Sequence, residues 1–465
     1  MGNTKTTSIR ALFVIFAFAL VVIIPGGWGR AGSGAPQPSD RGRSPSSTAG
    51  FERFVLAPLG GESALDIKIA DAQARVRVAT DHFPALEKLG WLLIAKARVS
   101  FDPGFYKLAE QCALAMDSLR PASPESLLLR GYALQNLHHF KAAEPLAREL
   151  VAHRGCAFDY GLLGDVLMEQ GRLDEAVAAY QQMADIKPDL YAYTRAAHMR
   201  WLKGDLVGAI EAVQMAVQAA SPRDAEPAAW VYTRMAQYQL QAGDFEKCRQ
   251  YCAAALEFQK NYPPALLLSG RLMLAREQYS EAVEPLSLAA KLNPLPEYQW
   301  TFAEALRAAG RAVEAEAVER ELKQRGASTD PRTFALFLAT RGEDIPTALA
   351  LAEAELETRG DIFTHDALAL TLAASGRFDE AEKQTRLALA EGTQDARLFL
   401  HAGMIARDLS RDTEAQKFLD RAAALKQMLL PSERAQLRMI SDSISRIGAN
   451  IPPTETKNQT NKERS

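Results

Sequence analysis

The sequence predicts an all-α protein in which pairs of helices stack into an α-solenoid. Its composition is typical of helix-rich chains, because Ala, Leu, Glu and Arg dominate, aromatic residues make up 8%, and long β-branched runs are missing after residue 85. One alanine position recurs at a nearly fixed interval along the chain. The length of 465 residues exceeds what one compact core usually covers, and an elongated array accommodates it.

Residues 1–31 are predicted to be a signal peptide or a membrane anchor. Lys5 and Arg10 precede the apolar run 11–25, which has the length of the apolar region of a secretory signal. With Gly26, Gly27 and Trp28 the run is also long enough for a short membrane span. Both alternatives predict an exported chain, either periplasmic or extracellular, or anchored to the membrane by this segment alone.

The remaining chain divides by composition. Residues 32–63 form a Pro/Gly/Ser linker that is predicted to be disordered, and the tail 449–465 is similar. The stretch 64–430 is predicted to be the repeat array, with residues 64–80 as a preceding helix. Residues 431–448 are predicted to be a closing helix, because a stack of this kind needs a terminal cap with one polar face.

The clearest repeat unit spans residues 160–189. In its first helix, the small residue Gly164 allows a partner helix to cross closely, and Gly171 allows a left-handed turn seven residues later. Ala176 and Tyr180 follow in the second helix, and Pro188 ends the unit. The unit is therefore predicted to be a helix-turn-helix pair.

The second-helix alanine recurs along the chain. Successive positions are 33 or 34 residues apart, except for one interval of 39 that contains an insertion at 221–227; they are Ala109, Ala143, Ala176, Ala209, Cys248, Ala282, Ala315, Ala348, Ala381 and Ala415. This pattern resembles the tetratricopeptide repeat family, whose unit is a 34-residue helix-turn-helix. The resemblance covers roughly residues 85–430 and implies about ten units in a right-handed superhelix.

Three units depart from the pattern at the turn. The turn glycine is kept at Gly171, Gly204, Gly243, Gly310, Gly342 and Gly376, but His138, Glu277 and Ser410 stand at that place in the other three. His138 and His139 are adjacent at such a turn. They are therefore predicted to be solvent-exposed and not a ligand pair.

The sequence gives no sign of a cofactor, a metal site or catalysis. The net charge of -3, with both signs interspersed, lacks the basic stripe that nucleic acids require. Cys112, Cys156, Cys248 and Cys252 lack zinc-ligand spacing, and the last two are predicted to be buried thiols on the inner face of one helix. No catalytic or phosphate-binding motif is present, and no small-molecule substrate is expected.

The resemblance implies a concave groove lined by the first helices. The groove positions lie six and three residues before, and one and four after, the small residue of each first helix. The predicted partner-binding residues at these positions are Tyr132, Phe158, Tyr191, His198, Trp201, Trp230, Arg271 and Trp300. Exposed aromatic and arginine side chains dominate binding energies at interfaces. The alternative is that these side chains pack against adjacent repeats.

The predicted function is that of a non-catalytic scaffold that binds a partner peptide or helix in the groove. The partners are expected to be other proteins or peptides. An alternative is a substrate-selecting or regulatory subunit of an enzyme system, for example one associated with a glycosyltransferase. A third is an enzyme that uses groove carboxylates and His198. The groove positions lack the lysines and asparagines with which some family members clamp acidic chaperone tails, so an apolar or mixed ligand is favoured.

Overall fold

The computed structural model describes residues 54–449 and contains 22 α-helices and no strand within them. Ten consecutive helix pairs follow a first helix α1 (Ala64–Val78). The pairs are α2/α3 (His82–Ser100, Gly104–Leu119), α4/α5 (Pro124–Asn136, Phe140–His153), α6/α7 (Ala157–Glu169, Leu173–Ile186), α8/α9 (Leu190–Leu202, Leu206–Gln218), α10/α11 (Ala225–Gln241, Phe245–Phe258), α12/α13 (Pro263–Ala275, Tyr279–Leu292), α14/α15 (Pro296–Ala308, Ala312–Thr329), α16/α17 (Pro331–Arg341, Ile345–Leu356), α18/α19 (Ile362–Ala374, Phe378–Leu389) and α20/α21 (Ala396–Asp408, Asp412–Ala424). A 3₁₀ turn (Lys426–Met428) and α22 (Pro431–Ala449) complete the described chain. The predicted α-solenoid of about ten helix pairs is confirmed.

The repeated alanine marks the most deeply buried point of each pair. Every member of the series, including Cys248, is 0% exposed. In the pair α6/α7, a Cβ atom on Gly164 would lie 2.3 Å from the Tyr180 ring, so only glycine allows this ring to pack there. The small residue and the tyrosine that the sequence pattern singled out therefore form one helix crossing.

The turn inside each pair has the same backbone conformation whether or not it contains glycine. The φ angle is +77° at Gly171 and +78° at Gly310. It is +61° at His138, +60° at Glu277 and +60° at Ser410. The three departures from the sequence pattern are thus genuine repeats whose turn residue adopts the left-handed conformation without the freedom of glycine.

The amino-terminal end of the described chain is ordered by α1. The Gln73 side chain donates hydrogen bonds to the carbonyl oxygens of Val55 and Ala57, at 2.8 and 2.9 Å, and Val55 is 1% exposed. Within the predicted linker, the part next to α1 is thus held to the array by an apolar side chain and a buried amide. The rest of the predicted linker, the signal-like run 11–25 and the tail after residue 449 lie outside the described residues.

Helix α22 covers the last pair. Its buried side chains Leu437, Ile440 and Ile444 pack against Phe399 and Leu419 of α20 and α21. None of the helices between residues 54 and 449 combines the length and apolar character that crossing a membrane demands.

Candidate binding site at the closure of the superhelix

The stack of helix pairs winds back onto itself. The turn between α6 and α7 contacts the linker between α17 and α18, and the Arg359 Nε donates a hydrogen bond to Glu169 Oε2 at 2.6 Å, across 190 residues of sequence. The Gly360 amide donates to the Glu169 carbonyl oxygen at 3.0 Å. We call this set of contacts, together with the equivalent contacts of the next repeat, the closure.

The next pair, α8/α9, meets the linker of the following repeat in an equivalent way. The Thr393 hydroxyl, in the linker between α19 and α20, donates to the Leu202 carbonyl oxygen at 2.5 Å. Lys203 and Glu391 form an ion pair beside it. The Gln241 side chain donates to the Gln394 carbonyl oxygen at 2.7 Å and thereby extends the closure to α10.

The closure continues to the last helix. The Ser432 hydroxyl at the start of α22 donates to Glu304 Oε1 at 2.8 Å, and Arg434 Nη1 donates to the Leu274 carbonyl oxygen at 2.9 Å. Since these acceptors belong to α14 and α12, the carboxy-terminal helix closes the array both by capping and by binding earlier repeats.

A cavity of about 310 Å³ lies at the closure, between α6–α10 on one side and α16–α19 on the other. Its size falls at the lower end of small-molecule sites, which span about 300–1,000 Å³. Its lining combines aromatic and aliphatic side chains with several ionisable groups: Met168, Glu169, Gly171, Leu173, His198, Trp201, Leu202, Arg234, Gln237, Arg332, Arg359, Gly360, Asp361, Ile362, Phe363, His365, Leu387, Ala390 and Glu391.

Three aromatic rings form a stack in the wall of this cavity. The ring centroids of His198 and Trp201 are 5.3 Å apart with an interplanar angle of 14°, and those of Trp201 and Phe363 are 6.0 Å apart at 19°. Trp201 Nε1 donates a hydrogen bond to Gln241 Oε1 at 2.6 Å, which fixes the indole in place. The stack thus joins α8 to α18 across the closure.

Two arginines of the cavity are neutralised by carboxylates. Arg332 binds Asp361 at 2.7 Å, and Arg359 binds Glu169 at 2.6 Å. Burial opposes ionisation of Asp361, but the charges of Arg332 and Arg359 outweigh it and lower the pKa of this carboxyl. Asp361 also caps α18 by accepting a hydrogen bond from the Thr364 amide at 2.7 Å, so the charge of this group and the start of the helix are coupled.

Arg234 differs from the other arginines of the cavity. Its Nη1 donates to Gln237 Oε1 at 2.8 Å, and its guanidinium lies 5.6 Å from the Trp230 ring centroid. Within residues 54–449, no carboxylate oxygen lies within ion-pair distance of it. Burial, together with the Arg234 charge, lowers the pKa of His198 to about 3, so that imidazole is neutral at neutral pH. Arg234 is therefore the arginine of this cavity that forms no ion pair within the described chain.

The structure corrects the expected exposure of three predicted partner-binding residues. Tyr132, Trp201 and Trp300 are 6%, 5% and 2% exposed. Trp300 packs edge-on against Phe337 at 5.7 Å, with the Arg397 guanidinium 5.1 Å from its ring centroid. These side chains are buried because neighbouring repeats and the closure cover the inner ends of the first helices. Of the three, Trp201 borders the cavity.

The other predicted residues keep part of their surface exposed. Phe158, Tyr191 and Trp230 occupy the same position, six residues before the small residue, in α6, α8 and α10. We call these three side chains the aromatic strip. The ring centroids of Phe158 and Tyr191 are 6.4 Å apart. Arg271, which is also half-buried, pairs with Glu297 at 3.1 Å, and His198 lines the cavity.

Sequence reasoning missed much of the cavity. Arg234 lies between groove positions, and Arg359, Gly360 and Asp361 belong to a linker between repeats. Phe363 does occupy a groove position, because it lies six residues before Ala369, and the repeat pattern alone could have found it. For the others the sequence carries no signal, since their proximity to α6–α10 depends on how far the array rotates per repeat.

The described chain contains no group of three side chains placed to hold a metal ion. Cys248 and Cys252 are buried at 0% and 3% exposure, as predicted, whereas Cys156 is exposed at the start of α6. The arrangement at the closure therefore offers charge, hydrogen-bond donors and an apolar lining, which are the means of binding a ligand.

The comparisons with known proteins agree with the helix-pair architecture. The sequence profile of the tetratricopeptide repeat family matches residues 128–191 and 162–225. No curated protein matches the sequence.

Three solved structures illustrate the similarity. Yeast Tom70 is 14% identical, with 83% of this chain and 96% of that chain covered and a TM-score of 0.34. The human IFIT1 dimer with PPP-AAAA is 12% identical, with 81% and 94% covered and a TM-score of 0.43. A tetratricopeptide repeat protein from Parabacteroides merdae is 15% identical, with 57% and 98% covered and a TM-score of 0.32. Residues 128–225 thus match the tetratricopeptide repeat family, and the helix pairs on either side of this stretch have the same helix-turn-helix architecture.

Proposed function

We propose that this protein is a non-catalytic interaction scaffold that binds a peptide or helix of a partner protein along the aromatic strip. The observation that carries the proposal is the repetition of an aromatic side chain at one position of three consecutive first helices, at Phe158, Tyr191 and Trp230. Repeats of this family commonly serve as interaction modules, and no motif for catalysis accompanies them here.

The surroundings of the aromatic strip favour a ligand with apolar and polar side chains. Phe158 and Tyr191 form a tilted ring pair, and Trp230 lies under the Arg234 guanidinium. The next repeats continue with the ion pair between Arg271 and Glu297. Large rings that already contact one another lose little conformational entropy on binding, and they supply most of the binding energy at many interfaces.

The experiment compares two triple variants of the full-length chain. In the strip variant, Phe158→Ala, Tyr191→Ala and Trp230→Ala remove the three rings. In the control, Val207→Ala, Val313→Ala and Met439→Ala remove exposed apolar side chains of α9, α15 and α22, which are 70%, 79% and 65% exposed. We expect the strip variant to lose the partners that co-purify with the native protein, and the control to keep them.

Two measurements keep this test decisive. Circular dichroism must show equal helix content in both variants, so that loss of binding reflects loss of surface. If the folded strip variant retains every partner with unchanged affinity, the aromatic strip is not the docking surface. A co-purified enzyme whose choice of substrate changes in the strip variant would instead favour a substrate-selecting subunit.

We further propose that residues 1–31 direct export or anchor the protein to a membrane. The support is the basic start followed by the apolar run 11–25. Mass spectrometry of the mature amino terminus distinguishes the two forms, because a signal peptide is removed and an anchor is retained. A cytoplasmic protein with an intact amino terminus would overturn the proposal.

A further inference from the structure

We propose that the cavity at the closure binds a small organic monoanion, with its carboxylate on Arg234 and its apolar body among the aromatic and aliphatic side chains that line the cavity. This inference concerns a different ligand from the partner peptide, although Arg234 also contacts Trp230 of the aromatic strip. It rests on the charge balance of the cavity, on the shape of its walls and on the elements that form them.

Arg234 is the arginine of the cavity that calls for a negatively charged partner. Arg332 and Arg359 already bind Asp361 and Glu169, and Glu391 binds Lys203. Arg234 lines the same cavity, and among the described residues it contacts the neutral Gln237 side chain and the face of Trp230 and no carboxylate. Because a guanidinium presents five donors in a fixed fork, a carboxylate fits it in a bidentate manner. One uncompensated cation favours one anionic group.

The side chains that line the cavity indicate which kind of group carries the carboxylate. The parallel rings of Trp201 and Phe363 line the cavity, together with the aliphatic side chains Leu173, Ile362 and Leu387. An apolar body gains contact area against such a lining. The volume of about 310 Å³ suits a small molecule. The chemistry of the site therefore indicates a carboxylic acid with a small apolar body, such as a single aromatic group.

A ligand in this place contacts both sides of the closure. Arg234 belongs to α10 and Trp201 to α8, whereas Phe363 belongs to α18. A bound acid would therefore link helices that are otherwise held by the hydrogen bonds of Glu169, Leu202 and Gln241. Binding to the closed form alone stabilises that form by mass action.

Isothermal titration calorimetry of the full-length protein tests the proposal with indole-3-acetate as the probe and indole-3-acetamide as its uncharged counterpart. We expect the acid to bind and the amide to bind about 10- to 100-fold more weakly, since a charge-assisted hydrogen bond is lost. Arg234→Gln should weaken binding of the acid by a similar factor and leave binding of the amide unchanged.

Two variants complete the design. Arg407→Gln removes an exposed arginine of α20 that does not line the cavity, and it should bind the acid like the native protein. Leu387→Trp enlarges a side chain that lines the cavity and is 48% exposed, so it should block binding without disturbing a core residue. Equal binding of acid and amide, or unchanged binding in both Arg234→Gln and Leu387→Trp, would overturn the proposal.

A second titration separates a free acid from the end of a peptide. A pentapeptide that ends in tryptophan with a free carboxylate is compared with indole-3-acetate under the same conditions. Binding of indole-3-acetate supports the small-molecule site. Binding of the peptide alone, sensitive to Arg234→Gln, would assign the cavity to a chain terminus and overturn the small-molecule assignment, and binding of neither probe would overturn both.

Discussion

The carbonyl oxygen of Gly360 lies so close to Gly171 that a Cβ atom on Gly171 would come within 2.1 Å of it. Gly171 is the turn glycine of the pair α6/α7, and Gly360 lies in the linker that precedes α18. Gly171 thus satisfies two requirements, since it needs a left-handed backbone and has no room for a side chain. The second requirement exists only because the array closes on itself.

Gly171→Ala should destabilise the protein more than Gly310→Ala. The two glycines have φ angles of +77° and +78°, but nothing lies within 4 Å of a Cβ atom on Gly310. Both variants lose about 1–2 kcal/mol from the left-handed conformation. Gly171→Ala should lose about 1–3 kcal/mol more, because the Gly360 backbone must move. Urea unfolding measures the difference, and equal losses would show that the closure does not form in solution.

Glu277→Gly and Ser410→Gly should each stabilise the protein by about 1 kcal/mol. Both residues have a φ of +60°, which is unfavourable for a side chain and free of cost for glycine. The control is Glu316→Gly in the exposed face of α15, which should destabilise by about 1 kcal/mol. A loss of stability in both turn variants would mean that their side chains contribute more than the backbone strain costs.

Trp300→Ala should destabilise the protein more than Trp230→Ala. Trp300 is 2% exposed and packs between Phe337 and Arg397, so its removal should cost about 3–5 kcal/mol. Trp230 is half-buried and stacks with Arg234, an interaction worth about 0.5–1 kcal/mol at such sites. Thermal unfolding compares them. Similar losses in both would indicate that Trp230 is a core residue and not a docking residue.

The protein should become less stable as the pH falls, because His198 is buried and neutral in the folded state. Its pKa of about 3 in the folded state lies below the value of 6.5 for an unperturbed histidine, because of burial and the Arg234 charge, which outweigh the opposing Asp361. The unfolded chain therefore binds a proton first, and stability is lost as the pH drops from about 6.5 towards about 3.

His198→Gln should remove this part of the pH dependence. A single linked proton changes the free energy of unfolding by at most about 1.4 kcal/mol per pH unit. We therefore measure the free energy of unfolding by urea between pH 6.5 and 4.5, relative to its value at pH 8. This free energy should fall more steeply with decreasing pH in the native protein than in the variant. Identical slopes would contradict the neutral, buried state of this imidazole.

The repeats could be predicted from the sequence because the residues that define each helix pair lie close together in the chain. Ala176, Gly164 and Gly171 act within one 34-residue unit, and the same pattern recurs along the chain. The closure was not predictable in this way. It depends on contacts such as that between Glu169 and Arg359, and no local pattern records which repeat another will meet after a full turn.

For the same reason, the sequence could not give the exposure of each groove position. Trp201 and Trp300 satisfy the positional rule for a concave surface, yet the closure and neighbouring helices bury them. Phe158, Tyr191 and Trp230 satisfy the same rule and remain half-exposed, because they lie at the opposite ends of their helices from the closure. Position in the repeat predicts the face of a residue, and the superhelical turn decides whether that face is open.

The closure also divides the molecule into two kinds of interface. Helix pairs meet through alanine, leucine and tyrosine side chains, whereas the closure combines hydrogen bonds of Gln241, Thr393 and Gly360 with the contact between Trp201 and Phe363. Fewer residues meet across the closure than within a helix pair, so opening the closure exposes less apolar surface and costs less. We therefore expect the closure to open while every repeat stays folded. Amides such as that of Gly360 would then exchange their hydrogens well before those of the helices.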